Sequence, residues 1–195
     1  MAMETGQRDN NGDVYLLLEK IKSGDREAFV TIARLYQRKV FVLAYSFFRN
    51  KEDALDIVQE TFLRVYQKIE MFKEGRNFQN WLLQITKNLC IDFYRKRQSK
   101  ERHLNEGADI SELNIRDPKA SETHESSDIN SILSSCIDRL SEKQRMVFVL
   151  KQYNQLEYGE IAQILNVATG TVKSLHFKAT QNLRTLVSPY LRSQS

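Results

Sequence analysis

Turn-forming residues are scarce in this chain of 195 residues, which has 7 glycines and 2 prolines. Because a many-stranded sheet needs frequent tight turns, this scarcity favours helices over a large β-sheet. Strand-like alternation of useful length is also absent, and apolar residues recur instead at three- and four-residue steps. The sequence therefore predicts an all-α fold.

Cysteines and long apolar runs are scarce as well. Cys90 and Cys136 lie in different predicted helices, with no CxxC pair and no histidine at ligand spacing. This spacing argues against a disulfide framework or a zinc site and favours buried thiols in a reducing compartment. The apolar runs fall far short of the ~20 residues that span a bilayer, and the polar N-terminus is unlike a signal peptide. We expect a cytoplasmic protein with no membrane insertion, no metal and no cofactor.

Charge is distributed unevenly along the chain, although the net charge is only +4. Residues 92–102 are rich in lysine and arginine, residues 106–128 are acidic, and no acidic residue follows Glu160. Two basic patches on either side of an acidic spacer are compatible with binding to nucleic acid.

The helical periodicity falls into two blocks, which predict two small helical domains at residues 13–98 and 128–190. Between them, residues 99–127 lose the periodicity and predict a flexible linker, while residues 1–12 predict a disordered N-terminus. Asp25 and Asn50 are predicted to cap helices, Ser141 and Gln144 to form a capping box, and Pro189 to end the last helix.

A helix-turn-helix is predicted near the C-terminus, at residues 158–187. Such a unit needs a small residue inside its first helix, here Ala162, and a short turn, here 166–169. Apolar anchors are also required, and the predicted ones are Ile161, Leu165, Val167 and Val172. The alternative from these residues alone is an ordinary helical hairpin inside a core.

Three segments resemble the sigma-70 superfamily in the order of that family's regions. Residues 53–66 (DALDIVQETFLRVY) resemble region 2.2, and residues 72–97 resemble regions 2.3 and 2.4. Residues 140–148 and the helix-turn-helix resemble region 4. Segments like regions 1.1 and 3 are missing, which is typical of the extracytoplasmic-function (ECF) branch. The resemblance implies a sigma factor that binds core RNA polymerase, recognises −10 and −35 promoter elements and melts the promoter.

The resemblance assigns roles to three groups of residues. One face of the third helix would dock on the clamp helices of the polymerase β′ subunit; this face consists of Asp53, Asp56, Gln59 and Glu60. Without the resemblance, a charged helix face is more often simply exposed to solvent. The −10 element would be opened and bound by Phe72, Lys73, Arg76, Asn77, Asn80, Lys87, Asn88, Asp92, Arg95 and Lys96. The −35 element would be read by Thr169, Thr171, Lys173, Ser174, Phe177 and Lys178.

Four residues beside these groups are expected to pack inward or depart from the family pattern. The amides and cations of the −10 group suit a displaced strand, but Trp81 is expected in the core. Leu175 and Thr180 replace arginines that are common in the family, which should weaken phosphate attraction. His176 replaces an aliphatic residue, and we expect a packed imidazole there rather than a ligand.

The expected partners are core polymerase, through its β′ clamp helices and β flap, promoter DNA, and an anti-sigma factor between the domains. A stand-alone helix-turn-helix regulator with an N-terminal dimerisation or sensor domain is the alternative. An enzyme ranks last, because the sequence has no nucleophile–base pair, phosphate-binding glycine loop or metal-ligand spacing.

Overall fold

A computed structural model describes residues 6–73, 75–104 and 129–192. Most of the predicted linker and the first five residues lie outside this described part. Within it there are eight α-helices and a 3-10 turn, with no strand, so the all-α prediction is confirmed. The elements are α1 (Gly6–Lys22), α2 (Arg26–Phe48), α3 (Lys51–Lys68), the 3-10 turn (Ile69–Met71), α4 (Phe78–Leu104), α5 (Ile129–Asp138), α6 (Glu142–Gln152), α7 (Tyr158–Leu165) and α8 (Thr169–Arg192).

Two of the predicted helix caps are confirmed by their hydrogen bonds. The Asp25 carboxylate accepts from the backbone N–H groups of Glu27 and Ala28, and the Asn50 amide oxygen accepts from the N–H of Asp53. Each cap satisfies N–H groups that have no partner within the helix. Helix α1, however, already begins at Gly6, inside the segment predicted to be disordered, and α4 continues to Leu104, past the predicted start of the linker.

Two predictions about helix ends are wrong. The side chain of Ser141, at the N-cap of α6, makes no capping bond, and the Gln144 amide oxygen accepts from Asn182 Nδ2 on α8. Pro189 does not end the last helix, which continues to Arg192. A proline in a helix removes one N–H donor, and α8 accommodates that loss in its final turns.

The four N-terminal helices surround a core of aliphatic and aromatic side chains. α2 packs against α1, α3 and α4, and their buried faces meet around Ile32, Val40, Val65 and Leu82. Cys90 lies in an adjoining apolar cluster, where burial raises the pKa of its thiol to about 12. A free, buried cysteine agrees with the prediction made from its spacing.

The C-terminal helices form a second unit in which α8 packs across α5, α6 and α7. The two units also contact each other, since α2 packs on α6 and α4 on α7. None of the described helices is long and apolar enough to cross a membrane.

Candidate functional site

The turn between α7 and α8 is closed by backbone hydrogen bonds. Asn166 has a left-handed conformation (φ 56°), and its N–H donates to the carbonyls of Ala162 and Gln163 at the end of α7. The Val167 N–H donates to the Ala162 carbonyl at 3.1 Å. Because Ala162 is small and buried, α8 can approach α7 closely, which is the geometry of a helix-turn-helix.

The predicted anchors of this unit are correct with one exception. Ile161 and Val172 are fully buried, and Leu165 packs against the same apolar cluster. Val167, the fourth predicted anchor, has a side chain that is 40% exposed. Val167 contributes to the turn through its backbone N–H, and its side chain lies at the surface between the two helices.

Helix α8 divides into a buried and an exposed face at helical spacing. Val172 and Ala179 point into the core, while Phe177 is 64% exposed. The Phe177 ring is therefore available to a partner that approaches this face of α8. The structure places all six predicted −35 residues on the exposed surface: Thr169, Thr171, Lys173, Ser174, Phe177 and Lys178.

His176 fixes α8 against the two preceding helices. Its Nδ1 lies 3.0 Å from the Tyr158 hydroxyl, and its ring stacks on Phe148 with centroids 6.3 Å apart. Burial, and secondarily the charge of Lys151, lowers the pKa of this imidazole below its usual value. The expectation of a packed, partly buried histidine is confirmed.

The loop before α4 is held to the N-terminal helix. The Tyr15 hydroxyl donates to the Arg76 carbonyl at 2.6 Å. Gly75 has a φ of 81°, a backbone conformation that residues with a Cβ rarely adopt. Asn77 then caps α4, because its amide oxygen accepts from the N–H of Asn80 at 3.1 Å. The side chains of Lys73, Arg76 and Asn77 are all exposed.

Phe72, by contrast, does not lie on the surface. Its side chain is 4% exposed and contacts the rings of Phe78 and Trp81, with centroids 5.6 and 5.1 Å away. A ring packed in this way supports the loop and is not available to stack on a base. The inclusion of Phe72 among the strand-binding side chains is therefore corrected, whereas the expectation that Trp81 packs in the core is met, although Trp81 is only half-buried.

The remaining −10 residues follow α4 toward its C-terminus. Asn88, Asp92, Arg95 and Lys96 are exposed at helical spacing, and Lys87 beside them is half-buried. Asn80 differs from them, because its amide Nδ2 donates to the Glu160 carboxylate of α7 at 2.7 Å. The structure thus brings a predicted −10 residue into contact with the helix-turn-helix.

The polar face of α3 combines two paired and two exposed side chains. The Asp53 carboxylate accepts from Arg97 at 3.1 Å, and Glu60 forms an ion pair with Arg64 at 2.8 Å. Asp56 and Gln59 are exposed.

Sequence reasoning missed two apolar residues on this face. Leu63 and Tyr66 are about half exposed and follow Asp56 and Gln59 at helical spacing. A mixed row of apolar, amide and acidic side chains is more typical of a protein interface than a solely acidic face. The spacing of residues 56, 59, 63 and 66 was a signal that could have identified the row.

The chain matches two families of sequence: Sigma-70 region 2 over residues 32–100, and Sigma-70 region 4 over residues 131–183. It is 34% identical to the ECF RNA polymerase sigma factor SigW of Bacillus subtilis, over 86% of this chain and 92% of that protein. It is 29% identical to the ECF RNA polymerase sigma-E factor of Escherichia coli K12, over 91% and 95% of the two chains.

A solved structure is similar across both halves of the chain. It is the sigma factor RpoE of Bartonella quintana, crystallised in complex with the anti-sigma factor NepR. The TM-score is 0.62 and the identity 25%, with 82% of this chain and 96% of that chain covered.

Proposed function

Because the chain belongs to the ECF family of RNA polymerase sigma factors, we propose that the exposed surfaces of α8, α4 and α3 divide the work of promoter-directed initiation. The proposal rests most strongly on α8, where Lys173, Ser174, Phe177 and Lys178 form one exposed row on the second helix of a helix-turn-helix. That row reads the −35 element. Lysine and serine reach phosphates or base edges, and phenylalanine contacts a thymine methyl.

The loop at residues 73–77 and the exposed side of α4 bind the −10 element as it opens. Their amides suit the edges of unstacked bases, and Arg95 and Lys96 hold the sugar–phosphate backbone. With Phe72 buried, we propose that this surface holds the strand through polar and cationic groups, on a loop whose shape Phe72 maintains.

The exposed row of α3 binds the clamp helices of the polymerase β′ subunit. Asp56 and Gln59 supply the polar contacts, and Leu63 and Tyr66 supply apolar area that is removed from water. The C-terminal unit is proposed to reach the β flap. Residues 13–98 and 128–190 then act as two domains joined by residues 99–127.

None of these three roles requires catalysis by the chain. We propose that it acts as a specificity subunit of the polymerase in the cytoplasm. An anti-sigma factor is proposed as its inhibitor, since the similar sigma factor of Bartonella quintana is crystallised with one. Such a partner would compete with polymerase for the same surfaces.

Reconstitution with purified core polymerase tests the proposal. Transcript start sites mapped in cells that overproduce the chain supply promoters, and permanganate then detects unpaired thymines on those templates. Thymines near −10 should become reactive only when the chain and core polymerase are both present. Tight binding of the chain alone to duplex DNA, with no opening after core polymerase is added, would instead support a stand-alone regulator.

A further inference from the structure

A histidine lies at the boundary between the buried and the exposed faces of α8. His176 follows the buried Val172 by four residues and the exposed Lys173 by three. Its ring therefore lies at the edge of the row that is proposed to read the −35 element. The same ring contacts α6 and α7, the two helices that pack against this part of α8. A change in these contacts acts directly on the helix that presents Lys173 and Phe177.

Both ring nitrogens of His176 have partners on the preceding helices. The Nδ1 atom lies 3.0 Å from the Tyr158 hydroxyl of α7, and the Nε2 atom lies 3.4 Å from the Gln152 amide nitrogen of α6. Because an amide nitrogen can only donate, Nε2 accepts from Gln152, and the ring proton is on Nδ1, which donates to the Tyr158 hydroxyl. These two hydrogen bonds use the neutral imidazole.

Aromatic rings enclose the same imidazole. Phe148 of α6 stacks on it with 18° between the ring planes, and the Tyr158 ring meets it edge-on with centroids 5.6 Å apart. A single side chain thus joins α8 to both α6 and α7. A leucine at position 176 could fill this space but would form neither hydrogen bond.

The charge that acts on the imidazole is positive. Lys151 of α6 has its Nζ 4.9 Å from the centroid of the Tyr158 ring, and after burial it is the second cause of the lowered pKa of His176. Its ion pair with Glu157 of α7, at 3.3 Å, lies at the surface, since that carboxylate is 78% exposed. A second proton on His176 would add a positive charge beside Lys151 and would turn an N–H toward the donor amide of Gln152.

The other carboxylates on the helices around α8 are engaged elsewhere. Glu160 of α7 accepts from Asn80, and Asp138 of α5 interacts with Arg49 and Arg145. Helix α8 itself has no acidic residue. Within the described residues, therefore, no carboxylate forms an ion pair that would stabilise the imidazolium.

From these contacts we propose that His176 is a positioning residue for −35 recognition, and that protonation of its ring loosens α8 from α6 and α7 and weakens this recognition in acid. The proposal rests on the proposed function of α8. The folded unit binds the proton more weakly than the unfolded chain does. The neutral, anchored form therefore prevails above about pH 6.5, the ordinary pKa of histidine, and loses its advantage as the pH falls below that value.

Binding of reconstituted holoenzyme to two promoter duplexes tests the proposal. One duplex carries a −35 element identified by start-site mapping, and in the other that element is scrambled, so the ratio of the two affinities measures −35 recognition. Groups that titrate and act on both duplexes alike cancel in this ratio. Between about pH 7.5 and 5.5 the ratio should fall by roughly threefold or more for wild type and stay constant for His176→Leu.

Two tyrosine variants separate the hydrogen bond from the packing. Tyr158→Phe keeps the ring but removes the hydroxyl that accepts from Nδ1, and it should lower the ratio already at about pH 7.5. Tyr153→Phe, at an exposed tyrosine between α6 and α7, is the matched control and should behave as wild type. Nitrogen NMR of the full chain, with the His176 signals identified by their loss in His176→Leu, should show the neutral ring protonated on Nδ1.

Several results would overturn the proposal. They are a wild-type ratio that does not change with pH, one that falls equally in His176→Leu, and a neutral ring protonated on Nε2. A ratio that rises in acid would also overturn it, since that result indicates an imidazolium bound to a DNA phosphate. If His176→Leu loses its helical circular dichroism, Tyr158→Phe decides, and a wild-type ratio in that variant counts against the proposal. Equal binding of both duplexes at about pH 7.5 would instead contradict the −35 role of α8 itself, and this proposal with it.

Discussion

Phe177 and Lys173 lie on the same exposed face of α8 but should contribute to DNA binding in different ways. Lys173→Ala removes one phosphate or base contact and should lower the slope of log affinity against log salt by about 1. Phe177→Ala removes an apolar contact and should cost about 1–3 kcal/mol on promoters with the cognate −35 element, but little on others. Both are measured as transcription and binding by reconstituted holoenzyme at several salt concentrations.

The control for this pair is Gln181→Ala, an exposed position further along α8 that should behave as wild type. Unchanged transcription in both Lys173→Ala and Phe177→Ala would remove α8 from the DNA interface.

His176 should make the stability of the C-terminal unit depend on pH. Its pKa is lower in the folded chain than in the unfolded one, so the folded state binds the proton more weakly. Its stabilising contribution is complete above the unfolded pKa of about 6.5 and is lost as the pH falls below that value. Urea midpoints between about pH 7.5 and 5.5 should therefore fall further for wild type than for His176→Leu.

Asp138 serves as an internal reference in that comparison. Burial raises the pKa of its carboxyl despite the opposing charges of Arg49 and Arg145, so acid favours its folded form in both proteins. Its effect cancels in the difference between wild type and His176→Leu. Equal loss of stability in the two proteins would show that protonation of the His176 imidazole does not destabilise the folded state.

At the scale of elements, α3 allows the polymerase surface to be tested by reversal of a single charge. Asp56→Arg places a cation in the exposed row that includes Leu63 and Tyr66, and we expect loss of holoenzyme in a pull-down with core polymerase. Helical circular dichroism should not change, because Asp56 is exposed.

The matched control is Asp13→Arg, which makes the same charge change on the exposed side of α1. That variant should be recovered with core polymerase like wild type. Normal recovery of Asp56→Arg as well would exclude this part of α3 from the interface.

The elements themselves could be predicted from the sequence wherever one apolar row dominates a helix. The rows of α2, α3 and α4, with caps at Asp25 and Asn50, were sufficient to place those helices. The prediction failed where a side chain expected to bond within its own helix bonds to another helix. Gln144 bonds to Asn182 of α8 and does not complete a capping box. It also failed for Phe72, since an aromatic residue beside a loop can equally well pack inward.

The contact between the two units was the part of the site that periodicity could not predict. A helical row shows which residues are buried together, but not which of two bodies buries them. Leu43 falls on the main row of α2, so its packing against the C-terminal unit leaves no trace in the sequence. Leu83, outside the main row of α4 beside Gln79 and Asn80, was the one visible sign of a second buried face.

At the scale of the whole molecule, the contacts of α2 with α6 and of α4 with α7 make the stability of the two units interdependent. Burial of Leu43 and Leu83 against the C-terminal helices adds apolar area that neither unit buries alone. Separation of the units would return that area to water, so each unit stabilises the other.

Arg145 provides the sharpest test of this coupling, because one buried guanidinium bonds to carbonyls of both units. Arg145→Met keeps the aliphatic stem but leaves the Ser46, Asp138 and Leu140 carbonyls without these donors. We expect a loss of about 2–4 kcal/mol in the free energy of unfolding, since each unsatisfied buried group costs about 1–3 kcal/mol and water can satisfy some of the freed carbonyls. The measurement is a urea titration followed by circular dichroism. Lys143→Met, an exposed position on the same helix, should stay within about 0.5 kcal/mol of wild type, and an equally small effect for Arg145→Met would show that the guanidinium does not join the units.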